Sequence, residues 1–501
     1  MRASRTLGLM PSARPGPTPS ATPGPTPSAR PGPTPSPEIG RNDGSHRSVG
    51  RRASWRVAET WLLVCASVTV VAAYAAVRVS ASGVPIVTGQ AFVEAGPIPI
   101  IAGLRPVVTE LLPVLSFLGA AWLVHIVLVV RKHRGDSLIL PIVTTLMGLS
   151  LALITRLGDA GGAGLAFRQW LWLGIGLALC ASIIVGGRDL RWLRRYRYTW
   201  ALAGMALLAL TLVGGHSSVP GGPRLWLGLG GWTFQPSELL KFLLVVFMAG
   251  YLADKRELLA GAAYRVGRLR LPPLPYLAPM VVMLGLSLAL LAIQRDLGAA
   301  LLLFTIALGM LYMASGRGGY VLLGLAAFVS GSAIVYRHVE LVRDRVAIWL
   351  DPWAQAHGLG YQLVQGLLAV GAGGVMGTGL GQGMPQVVPA AHTDFIYAAL
   401  VEELGLAGAL AVLCLYALLV MRGFRSALLA RDPFERLLAG GLSFALAAQI
   451  FIIVGGVLRL IPLTGITLPF LSYGGSSMLI SSLSAGLLLK ISGSRPEGNR
   501  G

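Results

Sequence analysis

The stretch Val388–Gly405, VPAAHTDFIYAALVEELG, sets His392, Thr393 and Asp394 at the mouth of a long apolar run and places Glu402 and Glu403 about two helical turns further in. Carboxylates in or beside a membrane-crossing run are costly and rarely idle, so each is a candidate for proton chemistry. The plainer reading makes Thr393 an N-cap, Asp394 a favourable charge in a first turn, and the glutamates a structural pair. A second stretch, GPRLWLGLGGWTFQPSELLKF (Gly222–Phe242), carries Arg224, Trp226, Gln235, Ser237, Glu238 and Lys241. Pro236 suits a first helical turn, and Ser237 and Glu238 sit where acceptors meet free N–H groups. Lys241 lies deeper, at a level like that of Glu402 and Glu403, so a Lys–Glu pair between the two helices is the expectation. Glu402 is about 80° around the axis from Asp394 and Glu403 about 180°, so Glu402 is the one expected to share a cavity with Asp394. Arg343 and Arg345, together with the polar start Ser472, Tyr473, Gly474, Gly475, Ser476 and Ser477, complete the set. Arginine suits phosphate, and helix N-termini favour anions. The combined chemistry is a base beside a diphosphate site. Solvated charge and close packing through small residues are the alternatives.

The elements that must hold these residues follow from composition. The 501 residues are 54% hydrophobic and 12% charged, with mean hydropathy +0.69. Apolar runs near 20 residues recur, so the chain reads as an all-α, polytopic transmembrane bundle. About twelve spans are predicted, at 58–78, 109–130, 137–155, 170–187, 198–214, 236–253, 274–293, 297–314, 319–336, 394–420, 437–458 and 472–490. The three runs within 274–336 also allow a reading as two. The net charge of +20 resides in alternate loops, such as Arg131, Lys132 and Arg134, or Arg188, Arg191, Arg194 and Arg195. That is the positive-inside pattern and not a nucleic-acid footprint, and it puts both termini in the cytoplasm. Even-numbered spans then begin outside, and the polar motifs crowd at their starts. Cys65, Cys180 and Cys414 fall in apolar runs and support neither a disulfide framework nor a zinc site.

Residues 1–50 hold the repeats ARPGPTPS, ATPGPTPS and ARPGPTPS and read as a disordered cytoplasmic tail without a signal-peptide core. The Gly-rich run GAGGVMGTGLGQG (Gly371–Gly383) lacks a following GK[ST], so it is not a P-loop; tight turns or close helix packing explain its glycines.

Taken in order, RLWLGLGGWTFQPSELLKF, QRDLG (Gln294–Gly298), RVAIWLDPW, GLGYQLVQGLLAVGAGGVMGTGLG, HTDFIYAALVEELGLAG and LIPLTGITLPFLSYGGSS resemble the RodA/FtsW/SpoVE (SEDS) family over roughly residues 140–490. The loop before HTDF and the two additional N-terminal spans look more like the RodA branch. The resemblance implies a ten-span core (137–492) with a large outer loop at 337–393, two additional helices within 51–136, and a short tail at 493–501. It implies a bacterial cytoplasmic-membrane enzyme that polymerises lipid II into β-1,4 glycan for elongation or division, with Asp394 essential and a class B penicillin-binding protein as partner. No cofactor is certain; a divalent cation, magnesium or manganese, is the candidate, with metal ligands unknown. The sequence departs from the family at Arg295, Gln386, Ala390 and Thr464, which weakens a multi-carboxylate site and leaves Asp394 untouched. Inverting transfer needs only one essential carboxylate. A lipid II flippase using Lys241 and the glutamates as a relay, and a non-catalytic scaffold, are the other readings.

Overall fold

Hydrophobic runs of this length bury their backbone polar groups by coiling into helices, and the computed structural model is built almost wholly of them. It describes residues 44–494 apart from 82–99, 162–163, 188, 218–222, 230–231, 262–263, 267–268 and 272–273. The Pro-rich repeats and residues 495–501 lie outside the described residues. The helices are α1 (Gly44–Ala81), α2 (Ile100–Val130), α3 (Ile139–Gly161), α4 (Leu165–Val185), α5 (Arg191–Arg195), α6 (Arg197–Gly214), α7 (Pro236–Gly261), α8 (Leu274–Ile293), α9 (Leu297–Ser315), α10 (Gly318–His338), α11 (Glu340–Leu350), α12 (Tyr361–Gly373), α13 (Ile396–Leu429), α14 (Pro433–Val457) and α15 (Gly475–Gly493). Two short hairpins, β1 (Leu227–Leu229) with β2 (Trp232–Phe234) and β3 (Tyr264–Val266) with β4 (Leu269–Leu271), sit between spans.

Eleven helices among the described residues are long and apolar enough to cross a membrane, and the apolar part of α8, Leu277–Ile293, is somewhat shorter. Together they account for the twelve predicted runs, and the stretch 274–336 is three helices, not two. One boundary differs from the expectation. Helix α1 begins at Gly44, inside the 1–50 stretch, since no proline falls between Pro37 and the end of the helix. The long loop at 337–393 carries α11 and α12, both too short to span a membrane.

From Arg51 the chain forms one unit. The most buried spans are α3, α7, α14 and α15, while α10 is nearly all exposed. Helix starts follow local rules: the Asp296 side chain accepts from the Ala299 N–H to begin α9, and Asp432 with Pro433 begins α14. Helix α13 breaks at Gly405, whose φ of 67° and close approach to the Gly377 backbone let the Gly-rich segment pack directly on it. Close packing is thus what those glycines do.

Candidate active site

Two backbone turns hold Asp394. In the first, Ala390 (φ 53°) receives hydrogen bonds on its carbonyl from the Thr393 N–H at 3.0 Å and the Phe395 N–H at 3.3 Å. In the second, around Phe470 (φ 64°), the Ser472 hydroxyl donates to the Thr393 carbonyl at 2.6 Å, and the Tyr473 N–H to that of His392 at 2.7 Å. The His392 and Tyr473 rings meet edge-on at 5.8 Å. The HTDF and SYGG segments are therefore zipped together just before α13 and α15 begin. Burial holds the His392 ring below its usual basicity.

Asp394 does not cap α13: the N-cap position is Phe395, without a side-chain cap. Its carboxylate turns instead toward Gly465, where an added side chain would lie 3.5 Å from Oδ2, and toward Arg345 and Asp296. Burial pushes the Asp394 carboxyl up to about 6; the Thr393 hydroxyl and the Arg345 charge pull it down, and Asp296 adds to the rise. Arg345 comes from α11 and donates to the Thr464 carbonyl at 3.4 Å. Burial lowers its proton affinity, while Asp296 and Asp394 favour its charge. Asp296 is raised by burial, against the Ala299 N–H and the Ser237 hydroxyl, and its Oδ2 is buried with no hydrogen-bond partner among the described residues. Gly298 lets this turn approach the Thr464 carbonyl closely, since a Cβ there would come within 2.4 Å of it. Arg343 stays outside, paired with exposed Glu340 at 3.5 Å.

A further network ties the starts of α7 and α15 to the interior of α14. Lys241 donates to Glu238 at 2.8 Å and to Gln449 on α14 at 2.7 Å. The Gln449 amide donates to the Thr467 carbonyl at 2.7 Å, and the Thr467 hydroxyl to Ser477 at 2.8 Å. The Gln235 N–H donates to Ser476 at 2.8 Å. Gly475 takes the Trp172 ring against its backbone, and Gly474 is the N-cap of α15.

The expected Lys241 pairing with Glu402 or Glu403 is not found. Helix α7 packs chiefly on α6, α9, α14 and α15, so equal depth on α13 does not make the residues neighbours, and Glu238 at i−3 is on the right face. Glu402 is not turned to Asp394 either: its Oε1 accepts from the Met384 N–H at 2.7 Å. Glu403 faces Arg156 of α3 at 3.6 Å, and Arg156 also donates to the Gly383 carbonyl at 3.1 Å. Both glutamates fasten the Gly-rich segment. Arg224 is exposed and Trp226 forms a backbone bridge to His216; among the described residues no side-chain hydrogen bond or ion pair joins either to the cluster. Sequence reasoning passed over Asp296, although QRDLG carries the same signal as HTDF, an aspartate at the mouth of an apolar run. Arg156 and Gln449 gave no signal beyond being polar within a span.

Fold and cluster define a polytopic membrane protein with a partly buried aspartate–arginine–aspartate site at its helix starts. The cell cycle protein family of FtsW, RodA and SpoVE matches residues 136–497, and the chain belongs to that family. It is 42% identical over 386 residues to the peptidoglycan glycosyltransferase RodA of Mycobacterium tuberculosis, covering 75% of this chain and 82% of that one. It is 37% identical over 328 residues to a probable peptidoglycan glycosyltransferase FtsW of Geobacter metallireducens, covering 65% and 84%. Among solved structures, a chain of a peptidoglycan synthase complex that coordinates polymerisation and crosslinking is similar at TM-score 0.60 and 29% identity, over 73% of this chain and 99% of that one. The rod-shape-determining protein RodA of Thermus thermophilus is similar at TM-score 0.51 and 28% identity, over 73% and 98%.

Proposed function

We propose that this chain polymerises lipid II into β-1,4-linked glycan at the outer face of the bacterial cytoplasmic membrane, with Asp394 as the general base. Family membership supplies the activity class, a peptidoglycan glycosyltransferase. The observation that carries the assignment is that Asp394 lies against Gly465, within electrostatic reach of Arg345 and Asp296, instead of capping its helix; burial there raises its carboxyl to about 6. A carboxylate tuned this way is ionised near neutral pH and still basic enough to take a proton.

In the proposed reaction Asp394 accepts the proton of the acceptor sugar's 4-hydroxyl. The oxygen bonds to the anomeric carbon of the donor, and the bond to polyprenyl diphosphate breaks with inversion. The leaving diphosphate carries its electron pair toward Arg345 and the helix starts, whose positive potential favours it. Lys241 and Gln449 hold the start of α7 to that of α15, fixing the floor. A divalent cation fits the donor set here, because Asp296 is close enough to Asp394 to act on its charge and its Oδ2 has no hydrogen-bond partner among the described residues. Magnesium is usually held by one or two carboxylates plus substrate phosphates. Asp394 and Asp296 would hold it, and it would supply charge neutralisation on the diphosphate.

The loop charges support cytoplasmic termini and an outer site. The RodA relatives support a role in elongation, and the synthase-complex neighbour supports a class B penicillin-binding protein as partner. The flippase reading needed a relay from Lys241 to the glutamates, and those groups lie in separate networks. The test is purified protein with lipid II, alone and with its penicillin-binding partner, read as glycan on a gel. Polymer that disappears in Asp394→Asn supports the proposal; lipid movement between leaflets without polymer counts against it.

A further inference from the structure

Between α2 and α4 lies a cavity of about 330 Å³, walled by Ser116, Phe117 and Ala120 on one side and Trp170, Gly174 and Ala178 on the other. Its two polar groups are already satisfied, since the Trp170 indole N–H donates to the Ser116 hydroxyl at 2.9 Å and that hydroxyl donates to the Pro113 carbonyl at 3.0 Å. What remains for a ligand is apolar contact. The flanking side chains Leu115, Phe167 and Ile175 are 49%, 61% and 40% exposed. In a bilayer such faces meet hydrocarbon, so the chemistry that enters is a lipid chain.

A headgroup seat stands above it. Arg168 falls on the same stripe of α4 as Leu171, Ile175 and Ala178, one turn before the cavity. It is exposed and has no side-chain partner among the described residues. It also occupies the first turn of α4, where the helix dipole disfavours a cation and where α4 carries no acid. In the orientation proposed above this end is outside, where the loops are otherwise poor in positive charge. An anion explains the placement: the arginine and the free N–H groups of the first turn together suit a phosphate.

We propose that the α2–α4 cleft binds an outer-leaflet glycerophospholipid, with one acyl chain in the cavity and the phosphate on Arg168. Residues 170–178 rise about 12 Å along the helix, close to the roughly 15 Å depth of one leaflet. That length fits an acyl chain, whereas a long isoprenoid would have to leave the cleft. Helix α2 precedes residue 136, where the family match begins, so the site is made by an appended helix. Its link to the reaction runs through Gln169, which donates to Ser150 at 2.7 Å, while Ser150 donates to the Leu471 carbonyl at 2.6 Å. Leu471 adjoins Ser472, which holds the Thr393 carbonyl next to Asp394. A lipid that steadies α4 therefore steadies the turn that bears the base.

Gly174 offers a clean test, because a Cβ added there meets nothing within 4 Å. Gly174→Leu directs a side chain into the cavity from a position whose Cβ has free space, and Arg168→Gln removes the phosphate seat at an exposed position. The probe is phosphatidylglycerol with a diazirine on its acyl chain, applied to the full-length protein in nanodiscs and mapped by peptide mass spectrometry. Label is expected on residues 115–120 and 170–178. It should fall about tenfold in Gly174→Leu, the factor expected for losing roughly two buried methylenes, and more weakly in Arg168→Gln. Undiminished labelling in Gly174→Leu overturns the proposal. So does displacement of the label by excess polyprenyl phosphate but not by excess unlabelled phosphatidylglycerol, which would give the cleft to an isoprenoid. The readout needs no polymerase activity, so it stands or falls apart from the proposed reaction, on which only the orientation rests.

Discussion

Helix α13 meets acids at two levels, and their surroundings differ in kind. At its mouth Asp394 lies within reach of the Arg345 and Asp296 charges and against Gly465. Two turns in, Glu402 and Glu403 face the backbone of the Gly-rich segment and Arg156. The partners decide the role. A carboxylate held by a neighbouring segment, as Glu402 is by the Met384 N–H and Glu403 by the Arg156 that also binds the Gly383 carbonyl, is spent on holding that segment. One pressed among side-chain charges, with its proton affinity raised, retains an oxygen for a substrate.

The comparison breaks first, and most severely, at Asp394. With Asp394→Asn, lipid II polymerisation by purified protein should fall at least about a hundredfold, as expected for a general base. Since the fold holds this proton more tightly than the unfolded chain does, the stability it lends is present below the unfolded value of 3.8 and is lost as pH rises through about 6. Near neutral pH the charged group is a net cost, so the melting temperature of Asp394→Asn should be unchanged or higher. Wild-type rates should climb with pH up to about 6 and then level off, because only the ionised carboxylate is a base. A flat profile between pH 5 and 7 would remove the assignment.

Arg345 tests the same site from its charged wall. Arg345→Gln should lower turnover roughly tenfold or more, since it removes a cation aimed at the developing diphosphate charge. The apparent proton affinity of Asp394 should also rise, because an opposing charge is gone, and the foot of the pH profile should move upward with it. A drop in rate with no movement of the profile would separate Arg345 from Asp394.

The second level should behave differently. Arg156→Met strands Glu403, a buried acid at 1% exposure, and frees the Gly383 carbonyl. The melting temperature should fall by several degrees, because removing one partner of a buried pair leaves the other uncompensated. Turnover should drop only about threefold, through a looser Gly-rich segment. Loss of activity on the scale of Asp394→Asn, in protein that melts normally, would make the two levels alike.

Much of this was legible before any coordinates. Hydropathy finds twelve runs because hydrocarbon admits little else but helices, and the mouth of an apolar run shows where polar residues meet the surface. Depth could be read by counting 1.5 Å per residue. What sequence does not carry is which helices are neighbours, and that is why Lys241 was matched to Glu402 and Glu403 when its partners are Glu238 and Gln449. Gln449 looks like any polar residue in a span until α14 is packed on α7. Asp296 is the opposite case: its position carried the signal, and only its nearness to Asp394 needed the fold.

The smallest effect belongs to Arg343. It sits two positions before Arg345 on α11, and two residues turn a helix by about 200°, so the pair points to opposite sides. Only one of them can reach the cluster, and the structure gives that place to Arg345 while Arg343 meets exposed Glu340 at 3.5 Å. An exposed i,i+3 pair contributes at most about 0.5 kcal/mol. Arg343→Gln should therefore leave turnover within about twofold and the melting temperature nearly fixed, with no shift of the pH profile. If Arg343→Gln instead matched Arg345→Gln in rate, α11 would have to turn on binding substrate and bring both arginines to the diphosphate. Crosslinking a cysteine at 343 to one at 465, with and without lipid II, would then detect that rotation directly.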